Sequence, residues 1–87
     1  MRVTYSKDVD MLYLSFTPPI GKVATVENKN GDLLRIDKAT GKVVGVTIQL
    51  FLYRIGTGEK IEIPELGFTT DSPLGMAFVE SARAKAC

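Results

Sequence analysis

Apolar and polar residues alternate along the first half of the chain. Residues 2–5, 11–16, 22–28, 33–37 and 43–48 place apolar side chains at or near every second position, as strands with one buried face do. The clearest stretch is Asp32 to Ile48, DLLRIDKATGKVVGVTI, which reads as two strands joined at Ala39-Thr40-Gly41. A three-residue loop closed by glycine in the left-handed region suits this turn. It sets Ile36 opposite Val44 and Leu34 opposite Val46. Leu34, Ile36, Val44, Val46 and Ile48 then share one face, and Leu33, Arg35, Asp37, Val43, Gly45 and Thr47 share the other. A four-residue loop would set Arg35 beside Val44. Because a one-residue slip turns every apolar side chain over, the pattern favours the three-residue loop.

Two more turns lead to the same face. With Lys7–Asp10 as a four-residue loop, Tyr5 meets Leu12 and Val3 meets Leu14. With Lys29-Asn30-Gly31 as a three-residue loop, Val26 meets Leu34, Ala24 meets Ile36, Thr25 meets Arg35 and Glu27 meets Leu33. The combined apolar face is Val3, Tyr5, Leu12, Leu14, Phe16, Ala24, Val26, Leu34, Ile36, Val44, Val46 and Ile48. Agreement between local turn chemistry and the overall pattern is the mark of a foldable sequence. Thr17-Pro18-Pro19 ends the second strand in a corner or at an edge, because proline lacks the ladder donor.

The second half is less regular. Gln49–Ile55 is a dense apolar run, read as strand extension or buried linker, and Gly56-Thr57-Gly58 breaks it. Lys60–Ile63 alternates and stops at Pro64, as a short edge strand would, and residues 65–71 read as loop. Ser72 to Ala86 predicts a helix: Ser72 can cap it, and Pro73 fits its first position, where no amide donor is needed. Leu74, Ala77, Phe78 and Ala82 form its expected buried stripe, with Val79 beside it. Arg83 and Lys85 suit the negative end of its dipole. Gly75 weakens the first turn.

The expected fold is therefore α+β: an antiparallel sheet of about five strands in meander order, with one C-terminal helix packed on or beside it. Residues 1–87 form one domain, made of a meander over 2–48, an apolar linker over 49–71 that can hold a short edge strand, and a helix over 72–86. With 45% apolar and 24% charged residues the chain is too apolar for disorder.

Charge narrows the choice of partner. Eleven basic against ten acidic residues leave a net charge of +1, which argues against nucleic-acid binding by bulk charge. Lys22, Lys29, Lys42 and Arg35 with Tyr13 leave weak nucleic-acid binding as a minor alternative. No apolar run is long enough for a membrane helix, and the first residues lack the apolar core of a signal peptide. The one cysteine, Cys87, is terminal, so no internal disulfide forms, and a cytoplasmic location is expected. Cys87 reads as an inert thiol.

Catalytic chemistry is thin. There is no histidine, the commonest general base and zinc ligand, so the serines have none to activate them. Asp8 with Asp10, and Asp32 with Asp37, can serve a hard cation or acid–base work, but aspartate at turns bonds to nearby backbone donors. Residues 28–32 lack the acidic spacing of a calcium loop, and residues 56–60 lack the spacing of a P-loop. The expectation is no catalytic, metal or cofactor site. A ligand-binding or enzymatic subunit built on Asp10, Arg35 and Asp37, with Tyr13 beside them, is the alternative.

The second sheet face carries the more informative feature. Met11, Tyr13, Val23, Leu33 and Val43 are expected to project from it, and apolar groups clustered on a surface mark an interface. Either residues 49–68 or another subunit must cover them. The first reading is a non-catalytic interaction or regulatory module acting as a homodimer.

The pattern Tyr5-x4-Asp10-x-Leu12-Tyr13-Leu14, then Leu33-Leu34-x-Ile36-Asp37-x3-Gly41-x-Val43-Val44-Gly45-Val46-x-Ile48, resembles the small prokaryotic proteins grouped as domain of unknown function 2283. The resemblance covers roughly residues 3–50. Ser6, Met11 and Val46-Thr47 depart from the commoner residues of that group. The resemblance implies a shared fold and brings no activity with it.

Overall fold

Each alternating stretch forms a strand. The computed structural model describes residues 2–86, the side chain of Glu65 excepted; Cys87 lies outside the described residues. The strands are β1 (Arg2–Ser6), β2 (Met11–Ser15), β3 (Val23–Glu27), β4 (Leu33–Asp37) and β5 (Val43–Gln49). They make one antiparallel sheet in the order β1-β2-β5-β4-β3. Sequence neighbours pair as hairpins except at residues 16–22. There Pro18 and Pro19 cannot feed a ladder, and the chain leaves the sheet and returns at its far edge. Strand β5 thereby comes to lie between β2 and β4.

Two turns have the loop lengths expected of them. Tyr5 faces Leu12 and Val3 faces Leu14 across a four-residue loop. Val26 faces Leu34 and Ala24 faces Ile36 across Lys29-Asn30-Gly31, with Gly31 at φ +86°.

The third turn differs. Asp37 N donates to Lys42 O at 2.9 Å, and Gly41 N to Asp37 O at 2.7 Å, so the loop has four residues, Lys38 to Gly41. Ile36 accordingly faces Val43, not Val44. A β-bulge between Arg35 and Ile36 then absorbs the extra residue, and the expected Leu34–Val46 pairing resumes. The bulge exchanges two valines. Val43 packs against the core, whereas Val44, expected there, lines the opposite side of the sheet.

Residues 49–71, expected as an apolar linker that can hold a short edge strand, do hold that strand at Glu62–Ile63 and carry further elements beside it. They form helix α1 (Phe51–Gly56) and a small hairpin of β6 (Glu62–Ile63) and β7 (Phe68–Thr69), with a single 3-10 turn at Pro64–Leu66 between its strands. Phe51, Ile61 and Ile63 are fully buried. Periodicity could not assign this segment, because short elements that bury single anchors carry no repeat.

Helix α2 (Pro73–Ala86) starts as expected, with Gly75 N donating to Ser72 Oγ at 3.1 Å. Its buried stripe is Gly75, Phe78, Val79 and Ala82, at spacings of three and four residues, while Leu74 and Ala77 are exposed. Gly75 belongs to the stripe because a Cβ there would collide with the backbone of Thr69 and Thr70. Phe78 stacks on Phe68 with ring centroids 5.5 Å apart.

One core results. Tyr5, Leu12, Leu14, Leu34, Val46 and Ile48 from the sheet meet Phe51, Ile61, Ile63, Phe78, Val79 and Ala82 from the covering layer. That layer lies over one face only, and α2 contacts β1 and α1. Edge strand β3 is poorly covered: Val26, on the core side, remains 46% exposed.

Candidate binding face

Register places the second face in rows. Arg2 pairs with Ser15, Ser15 with Gly45, Gly45 with Arg35, and Arg35 with Thr25, so one row crosses all five strands. The next row is Thr4, Tyr13, Thr47, Leu33 and Glu27. Met11, Tyr13 and Leu33 are half-buried by their neighbours, and Tyr13 Oη lies 3.3 Å from Met11 Sδ. Val23 is an exposed edge residue at 39%. Four of the five residues expected on this face are therefore on it; Val43 is on the other side, and Val44 takes its place. Among the described residues no helix or hairpin packs here, because the buried apolar side chains of α1, β6 and α2, Phe51, Ile63, Phe78, Val79 and Ala82, join the opposite cluster.

Arg35 lies flat across the sheet. Its guanidinium passes over Gly45, where a Cβ would collide with it, and Nη2 donates to Ser15 Oγ at 2.8 Å and Leu14 O at 3.4 Å. Nε is buried and has no hydrogen-bond partner among the described residues. Among the described residues no ion pair reaches Arg35, although charged donors usually find a carboxylate.

Asp10, Arg35 and Asp37 do not assemble. Asp10 meets the sheet where β5 ends and Asp37 where it begins, roughly 20 Å apart at a strand's rise per residue. Each aspartate has structural work instead. Asp10 sits at φ 54°, a left-handed conformation that aspartate tolerates. Its carbonyl accepts Phe51 N at 2.9 Å, and its carboxylate accepts Leu52 N at 2.9 Å and Tyr53 N at 3.0 Å. Thus a residue forty positions upstream satisfies the open amides that begin α1.

Tyr5 Oη donates to the same carboxylate at 2.5 Å. Burial opposes ionisation of Asp10, but the Tyr5 hydroxyl and the two amides outweigh it and hold its carboxyl below the usual range. Burial, then the bond to Asp10, pushes the Tyr5 hydroxyl up to about 12.

Asp37 is buried and accepts Ile20 N at 2.8 Å, Ala39 N at 2.9 Å and Gly21 N at 3.2 Å. The amides of Ile20 and Ala39 keep its carboxyl below the ordinary value. It ties the returning residues 20–21 to the β4–β5 turn. Asp32 is fully buried and pairs with Arg54 Nη1 at 2.8 Å, which joins the β3–β4 turn to α1. Local spacing could not reveal the remote partners among these, because they lie 16 to 43 residues away in the chain.

The described residues contain no group of three or more histidine, cysteine, aspartate or glutamate side chains able to hold a metal ion. No helix among them is long and apolar enough to cross a membrane. No curated protein and no solved structure matches the chain. A family model described as a protein of unknown function, DUF2283, matches residues 2–49, the segment that builds the five-stranded sheet. The chain, matched over more than half its length, belongs to the DUF2283 family.

Proposed function

We propose that the protein is a non-catalytic interaction module that pairs with a second copy of itself through the open sheet face. The observation that carries this reading is the one-sided covering layer, which leaves Met11, Tyr13 and Leu33 on a face where no helix or hairpin among the described residues packs. An open antiparallel face of this kind packs well on another sheet, with strands crossing at about 30°.

Light scattering over a dilution series tests the pairing, with Leu33→Glu and Tyr13→Glu as interface variants. The expected result is a dimer for the parent chain and monomers for both variants, each still folded by circular dichroism. A parent chain that stays monomeric at high concentration, or a dimer indifferent to both substitutions, ends the proposal.

A further inference from the structure

We propose that the end of this face bearing Arg2 and Arg35 is a binding site for a small organic carboxylate. The site stands within one chain and does not depend on the dimer. The two arginines line one cavity of about 410 Å³ together with Ser15, Phe16, Pro18 and Val44. That is the size of a small-molecule pocket. Strand pairing sets the charges: Arg2 flanks Ser15 from β1, and Arg35 reaches it from β4 across Gly45. The guanidinium is underused, since its hydrogen bonds, to one hydroxyl and one carbonyl, are both made through Nη2, and among the described residues no carboxylate pairs with it. Among the described residues no acidic side chain lines the cavity.

An arginine fork matches a carboxylate in a two-point bond, and a second cation nearby strengthens the attraction. Apart from Thr17 the remaining wall is apolar, from Phe16, the two prolines, Val23 and Val44, so the body of the ligand is apolar as well. The bulge contributes directly, because it turns Val44 into this cavity in place of Val43.

Titration of the labelled protein followed by amide and arginine Nε–H resonances tests the site, with benzoate, benzamide and inorganic phosphate as separate probes. Benzoate is expected to shift Ser15, Phe16 and Arg35 saturably, and benzamide, of the same shape without charge, is expected not to. Arg35→Lys keeps the charge but loses the fork, and is expected to weaken benzoate binding about tenfold. Arg2→Ala, at an exposed position, is expected to weaken it while the fold is retained. Gly45→Ala is expected to displace the guanidinium and abolish the response. Equal shifts from benzamide, no saturable response to benzoate, or saturation by phosphate alone overturns the carboxylate assignment. Because the site needs only one copy, saturable binding by a monomeric variant such as Leu33→Glu separates it from the dimer proposal.

Discussion

Asp10 shows how much one turn residue can hold. Its backbone carbonyl and carboxylate take three amides at the start of α1, and the Tyr5 hydroxyl fixes the carboxylate from the other side. Replacing such a cap by alanine costs about 1–2 kcal/mol. Asp10→Ala is therefore expected to lower the unfolding free energy measured in urea by that amount, with early loss of amide protection at Leu52 and Tyr53; unchanged protection there would remove the capping role. Gly75 makes the opposite point. In an exposed helix, alanine is better than glycine by up to about 1 kcal/mol. Here a Cβ would strike the Thr69 and Thr70 backbone, which cannot swing aside as a side chain can. Gly75→Ala should destabilise the protein, by about 1–3 kcal/mol as overpacking does, in thermal or urea unfolding.

At the scale of elements, α1 is six residues long and too short to be stable alone. It persists because the two strand turns at that end of the sheet grip it, Asp10 through its amides and Asp32 through Arg54. Arg54 also donates to Gln49 O at 3.1 Å and pairs with Glu59 at 2.7 Å. Arg54→Met would keep most of the packing but take away the cation beside a fully buried carboxylate. Such a loss costs about 3 kcal/mol. Urea unfolding of this variant should show it, and Glu59→Gln, at an exposed partner, should cost under about 1 kcal/mol.

For the whole molecule, the same contacts set the pH range of stability. Asp10 and Asp37 have folded-state values below the ordinary carboxylate range. Their contribution is complete above the unfolded value of about 3.9 and is lost as pH falls through the folded values. Tyr5 is shifted upward, to about 12. Its contribution is complete below the unfolded value of about 10 and is lost as pH rises toward 12. The unfolding free energy should thus be level between about pH 5 and 9 as far as these groups go, and decline on both sides. Asp10→Asn should flatten both limbs, since it removes one acid group and the anion that holds the tyrosine proton. A mutant profile parallel to the parent's would show that the coupling does not operate.

The alternation of apolar residues and the glycine-closed turns were enough to determine the five strands, their antiparallel sense and most of their pairing, because a strand's repeat of two is local and a register slip would expose the whole core face. Ser72 and Pro73 likewise announced α2 from its first residues. Three things were decided only by the tertiary structure. The bulge that exchanges Val43 and Val44 depends on how a four-residue turn is reconciled with pairing already set by Leu34 and Val46. The fold of residues 49–71 depends on single anchors and on caps supplied by Asp10 and Asp32, so no period marks it. The meeting of Arg2, Ser15 and Arg35 depends on β5 lying between β2 and β4, an adjacency the chain acquires only once the Pro18-Pro19 corner has sent it around the sheet.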